Sequence, residues 1–314
     1  MVRGITAKPR TRQKTHITWK EEWKRHKFVY LMAIPVICYY FIFRYVPMAG
    51  IVIAFQDFKI IKGLSSDWVG LKHFIDFLSG PFAWRTIRNT LLLNIYQLMF
   101  GFPLPIIFAL MVNEVQSKVF QKVTQTISYM PHFISTVIIC GMIMDFSRTN
   151  GLFNDIFSPF MSERINFLSD PKYFRIIFVG SSTWQGIGWG SIIYLATLSS
   201  VDLNLYDAAA IDGATRLQRI WNISLPSLVP IIAIQLIMRL GSIMSMGFEK
   251  VILLYNPLTY EVADTISSYV YRRGLQEANY SYGAAVGLFN SAVNITILTV
   301  ANKLSAKFLE NSLW

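Results

Sequence analysis

The side chains that could do acid–base, metal or nucleophile chemistry are few in this sequence, and their spacing suits none of these. Four histidines, His16, His26, His73 and His132, are scattered without the interval that would bring two of them to one metal. No H-E-x-x-H run, no G-x-S-x-G nucleophile elbow and no G-x-x-x-x-G-K-[ST] phosphate loop occurs. The chain therefore has no recognisable means of hydrolysing a nucleotide. It reads as a non-enzyme that binds no metal or other cofactor itself. His132 follows Pro131 where a helix is expected to begin, so a packing role suits it better than catalysis. Cys38 and Cys140 both lie in apolar runs and read as buried thiols rather than as a disulfide framework.

One segment is built for contact rather than catalysis. It reads Tyr206-Asp207-Ala208-Ala209-Ala210-Ile211-Asp212-Gly213-Ala214-Thr215 and closes on Ile223-Ser224-Leu225-Pro226. Asp207 to Ala210 favour a short helix, and small side chains let another protein's backbone approach closely. Gly213 can take a positive φ and turn the chain after that helix. Thr215 to Asn222 can form a second short helix. Pro226 then falls near the start of the following one, where its missing N–H costs little. Two short helices meeting at such a turn make a knob that fits a socket on a partner.

The elements that must position this segment are membrane helices. Hydrophobic residues make up 53% of the 314 and charged ones only 15%, too apolar for a soluble core. The net charge of +11 is concentrated in the first 27 residues, directly before an apolar run. That placement suits a cytoplasmic basic tail rather than a nucleic-acid surface. No small-residue cleavage site follows, so the first apolar run reads as a retained helix. Stretches of about 20 apolar residues cross the hydrocarbon core. The expected spans are Phe28–Val46, Thr90–Val112, Ile127–Phe146, Phe174–Leu198, Leu228–Met246 and Gly283–Val300. The result is an all-α membrane protein of about six transmembrane helices, with a tail over 1–27 and a transmembrane domain over 28–314. The contact segment, about 200–227, then joins the fourth and fifth spans on the cytoplasmic side, and both termini are cytoplasmic.

Several polar residues fall within or beside these spans. Arg239 is expected mid-way through the fifth, where a charge must face water or a partner unless the helix boundary is displaced. Asn290 and Asn294, one turn apart on the sixth, suit either a polar path or helix packing. Trp184, Gln185 and Trp189 are expected to open the fourth span, as a sugar-stacking surface or an interfacial aromatic belt. Glu249 is expected at the outer end of the fifth.

The contact segment resembles the signature loop of binding-protein-dependent ABC importer permeases, with Gly213 and the closing Ile223, Leu225 and Pro226 in place. That family has Glu where this chain has Asp207. The resemblance extends along nearly the whole chain. Tyr45-Val46-Pro47, Trp68-Val69-Gly70-Leu71 and Asn89-Thr90 are similar to the sugar-type branch. Pro131-His132-Phe133-Ile134-Ser135, Leu253-Leu254-Tyr255-Asn256-Pro257, Tyr269-Val270-Tyr271-Arg272, Gly287-Leu288-Phe289-Asn290, Ala301-Asn302 and the final Leu313-Trp314 resemble the LplB-like permeases. The resemblance implies a type I ABC importer permease fold in a bacterial plasma membrane. It implies a heterodimer with a second, related permease, two copies of an ATPase that holds ATP and magnesium, and an extracellular lipoprotein that delivers an oligosaccharide. The coupling residues it implies are Asp207, Ala208, Ala209, Asp212, Gly213, Ala214, Leu225 and Pro226. An ion-gradient-driven transporter, a membrane-embedded enzyme and an importer of another solute are the alternatives. The first calls for paired intramembrane acids or inverted repeats of broken helices.

Overall fold

A computed structural model of the chain describes residues 19–161, 163–244 and 247–309. Most of the basic tail, the expected end of the fifth span at Met246, and Leu313-Trp314 lie outside the described residues. The chain divides into two units, Met1–Ile51 and Val52–Trp314.

In the first unit, helix α1 (Trp19–Tyr40) continues through a π turn at Phe41–Tyr45 into the short α2 (Val46–Met48). Pro35 sits inside α1 without ending it, as membrane helices allow. Cys38 is exposed on this helix, which corrects the expectation that both thiols are buried; Cys140 is buried.

The second unit carries the only strands among the described residues. Strands β1 (Gln56–Asp57) and β2 (Asp67–Trp68) pair antiparallel, and the ring nitrogen of buried His73 bonds the Gln56 carbonyl at 3.1 Å. His73 belongs to α3 (Lys72–Leu78). Helices α4 (Ala83–Gly101) and α5 (Pro103–Asn113) follow as one apolar run, interrupted at Phe102 because Pro103 donates no N–H. This span begins earlier than the expected Thr90.

The expected third span is not one helix. Helix α6 (Lys118–Tyr129) passes through a 3₁₀ turn at Met130–Phe133 and meets α7 (Thr136–Ser147) at 93°. Ile134 is extended between them, and the Ser135 hydroxyl restarts the helix by accepting from the Val137 N–H at 3.3 Å. After the short α8 (Leu152–Phe157), α9 (Pro171–Ser199) runs 29 residues from a cap in which Asp170 accepts the Lys172 N–H at 2.9 Å. That is about 44 Å, ample to cross a membrane.

Helix α10 (Leu203–Ile211) precedes α11 (Arg216–Arg219), which passes through a π turn at Ile220–Ser224 into α12 (Leu225–Gly241). Helices α13 (Phe248–Leu254), α14 (Tyr260–Ala263) and α15 (Ile266–Val270) lead to the long α16 (Tyr280–Leu309). The segment after Glu249 is largely helical and buries Val251, Leu254, Ala263 and Ile266.

Four helical runs are long and apolar enough to cross a membrane: 25–55, 83–113, 216–241 and 280–307. The bent pair α6–α7 makes a fifth if taken as one span. The long α9 is more polar, carrying Ser181, Ser182, Thr183, Gln185 and Ser191, and four to five apolar runs are approximately consistent with the six expected. Helix α9 packs against α4, α5 and α6, and α12 packs on α16. Gly188 is what lets α9 approach α6, since a Cβ there would stand 2.1 Å from the Ser128 carbonyl oxygen.

Candidate functional site

The contact segment begins where Asp202 caps α10, its carboxylate accepting the Asn204 N–H at 3.0 Å. Helix α10 then ends as the sequence predicts. Gly213 takes φ +76°, its N–H reaches the Ala210 carbonyl at 3.1 Å, and the Ala214 N–H reaches the Ala209 carbonyl at 2.9 Å. This paired closure satisfies two of the last carbonyls of the helix and requires a residue tolerant of positive φ. Thr215 opens the next helix with a reciprocal cap: its N–H donates to Gln218 Oε1 at 2.7 Å, and the Gln218 N–H returns to Thr215 Oγ1 at 3.4 Å.

The second short helix is not separate, contrary to the sequence reading. The helical run is continuous over Arg216–Gly241, and Pro226 is the second residue of α12, near its start as expected. The π turn over Ile220–Ser224, immediately before Leu225 and Pro226, loosens the backbone where the proline cannot donate. The Tyr206 and Ser224 hydroxyls hydrogen-bond at 2.9 Å, with Ser224 fully buried, and so tie α10 to that turn.

No residue of α10 is buried. Asp207, Ala208, Asp212 and Gly213 are exposed, while Ala209, Ala214 and Leu225 are partly covered. Ile211 is 87% exposed, Leu203 74% and Leu217 64%. The segment therefore presents two carboxylates beside bare aliphatic surface, which is the chemistry of a docking face.

The other sequence candidates separate from it. Trp184, Gln185 and Trp189 lie in the middle of α9, not at its opening. The Trp189 ring stacks on His132 with centroids 4.3 Å apart, and the Gln185 side-chain amide donates to the Ile134 carbonyl at 3.4 Å. Both brace the break between α6 and α7. Asn290 and Asn294 clamp one residue: Asn294 Oδ1 accepts the Met244 N–H at 3.0 Å, and Asn290 Nδ2 donates to the Met244 carbonyl at 3.3 Å. Of the two roles open to this pair, packing is the one these bonds perform. Arg239 sits in the last turn of α12 rather than mid-way, where its charge suits the carbonyl end of the helix. Glu249 is exposed in the first turn of α13, a separate helix beyond the end of the fifth span.

Sequence reasoning missed a buried ionic centre. Asp264 is fully buried, and its Oδ2 accepts from Arg85 at 3.0 Å and Arg272 at 2.7 Å. Its Oδ1 accepts from the Ser268 hydroxyl at 2.9 Å. Burial works against the Arg272 charge, and the bond and charge of Asp264 outweigh it, so the guanidinium pKa is raised. Asn89 joins α4 to this centre by donating to the Glu261 and Asp264 carbonyls at 2.8 and 3.2 Å. An acid close to two arginines in sequence space would have flagged it, but Arg85 is 179 residues away.

Comparison with known proteins shows the family to which the chain belongs. Residues 101–310 match the family described as binding-protein-dependent transport system inner membrane component. The chain belongs to this family. Protein LplB of Bacillus subtilis (strain 168) is 42% identical over 300 residues, covering 95% of this chain and 94% of the relative. The polygalacturonan/rhamnogalacturonan transport system permease protein YteP of the same organism is 42% identical, with 92% and 91% covered. The crystal structure of a bacterial alginate ABC transporter, in complex with an alginate pentasaccharide-bound periplasmic protein, superposes with a TM-score of 0.87 at 43% identity. It covers 94% of this chain and 99% of that one. As a member of this inner-membrane family, the chain is a multi-pass transport permease with the type I importer fold, and not an enzyme. Membership sets aside the ion-gradient transporter and the membrane-embedded enzyme.

Proposed function

We propose that this chain is one of two related permease subunits of an ATP-driven importer, and that its cargo is an oligosaccharide handed over by an extracellular binding lipoprotein. The observation that carries the reading is α10. It is a capped, turned helix between two spans, wholly unburied, with bare Ile211 and Leu217 beside Asp207 and Asp212. A surface of that kind is completed by a partner. The coupling residues are Asp207, Ala208, Ala209, Asp212, Gly213, Ala214, Leu225 and Pro226, and the partner is an ATPase subunit, present in two copies, that binds Mg-ATP. The saccharide cargo is supported by the relatives, which include a polygalacturonan/rhamnogalacturonan permease and an alginate transporter in complex with a pentasaccharide-bound periplasmic protein.

In this mechanism, ATP binding closes the ATPase pair and moves α10. Because Tyr206 is tied to the π turn that leads into α12, the displacement passes to that helix, and the two permeases rock between inward-open and outward-open states. The basic tail before the first span supports a cytoplasmic side for both termini and α10. Uptake of labelled oligosaccharide into membrane vesicles tests the proposal. It is expected to require this chain, the second permease, the ATPase and the delivery protein together. Uptake by this chain alone under an ion gradient would contradict it.

A further inference from the structure

Helices α7 and α9 leave between them a cavity of about 690 Å³. Ile139 and Phe146 mark its length on α7, and Tyr173 and Trp184 mark it on α9. One end is built of rings: Phe157 packs on Phe167 and Phe167 on Tyr173, with centroids 6.3 and 5.1 Å apart. Gly180 leaves a gap in the α9 wall, where a Cβ would meet nothing within 4 Å. The cavity is open along its side, since Trp184 is 51% exposed and Ile176 69%.

The lining excludes most ligands. No charged side chain contributes to it. The Ser181 hydroxyl does, but it is already engaged, donating to the Phe178 carbonyl at 3.2 Å and accepting from the Lys250 ammonium at 3.4 Å. A sugar or an anion would give up its hydrogen bonds to water here without recovering them. An apolar chain gives up none, and apolar cavities take apolar ligands.

Length and place narrow the choice. From Tyr173 to Trp184 the α9 wall rises about 16 Å. One leaflet of a bilayer holds about 15 Å of hydrocarbon, half of the whole core. The cavity occupies the half of α9 remote from α10, so it spans the depth of a single leaflet. The segment around its ringed end, 145–175, carries four acids and four bases and so no net charge. Two of these pairs are closed, Asp145 with Arg148 at 3.2 Å and Asp155 with Arg164 at 2.8 Å. Nothing in this balance selects a headgroup by its charge.

We propose that this cavity holds an acyl tail of a membrane phospholipid, bound by its chain and not by its headgroup. The tail fills the space that α7 and α9 leave open, and it sits deeper than the lipid that merely surrounds the protein. The inference uses only the membrane placement of the chain, so its failure leaves the importer reading in place.

The test is the emission of Trp184 in the assembled importer, loaded with phosphatidylcholine brominated midway along one tail and then washed with detergent until the surrounding lipid is gone. The Trp184 signal is the difference between each protein and its own Trp184→Phe partner, read against unbrominated lipid. In the wild type the retained bromines are expected to remove most of this signal, and phosphatidylglycerol brominated at the same place to do so equally. Gly180→Phe fills the gap in the α9 wall and Met142→Phe narrows the cavity from α7, so each is expected to bring most of the emission back. Gly180→Ala, which leaves room for the tail, is expected to stay quenched. Full emission in the washed wild type would overturn the proposal, since a protein segment would then cover the cavity or lipid would be held there no more tightly than elsewhere. Quenching that persists in both filled variants would overturn it too, and so would quenching by phosphatidylglycerol alone, the mark of a headgroup site.

Discussion

Helix α10 and the Asp264 centre are opposite solutions to the same problem, how to place carboxylates in a chain with few charges. On α10 and its turn, Asp207 and Asp212 stand exposed beside aliphatic residues that the described residues leave largely uncovered. Around Asp264, two arginines, a serine and the Asn89 amide satisfy the acid and its backbone, and two tyrosines flank Arg272, Tyr260 at 4.7 Å and Tyr269 at 5.7 Å from its guanidinium. The second arrangement is finished within the chain and holds α4 to the segment before α16. The first is unfinished and has meaning only with a partner. Function in this permease is therefore to be sought where chemistry is left open, and stability where it is closed.

Substitutions break the two regions in different ways. The largest effect is expected for Asp264→Ala. It strands Arg85 and Arg272 in a buried site, and loss of one partner of a buried pair costs about 3–5 kcal/mol. The thermal transition of the purified complex should fall sharply, or the chain should fail to accumulate in the membrane. Gly213→Pro comes next, since proline cannot adopt φ +76° and removes the N–H that reaches Ala210. Uptake should be lost while the thermal transition moves little, because α10 buries nothing. Asn294→Ala leaves the Met244 N–H without its acceptor, at about 1–3 kcal/mol, and should lower both stability and uptake moderately. Trp189→Leu removes the stack on His132, worth about 0.5–1.5 kcal/mol, and should loosen the α6–α7 break with the smallest change in melting.

What the sequence made legible was local. The turn at Gly213 could be read because glycine after a run of alanines specifies a helix end by backbone chemistry alone. The spans could be located because apolar length is itself the physical requirement. The break at Pro131 was visible as a residue but not as a bend, since membrane helices tolerate proline and only Ser135 and the bracing Trp189 decide the outcome. The start of α9 was legible to within three residues, at Pro171 rather than Phe174, but Trp184, Gln185 and Trp189 were placed at its opening and lie mid-helix. The roles of Asn290 and Asn294 depend on Met244, and that of Asp264 on Arg85, partners brought close only by the fold. The continuity of α11 with α12 hinges on a π turn that no residue type announces.

The central claim is that α10 is the face that meets the ATPase. Site-directed crosslinking tests it most directly, with Ile211→Cys introduced into a Cys38→Ser background of the assembled importer. The account expects a crosslink to the ATPase subunit whose yield changes when ATP is bound. A crosslink to the extracellular delivery protein, or none to the ATPase in a complex that still imports, would contradict it.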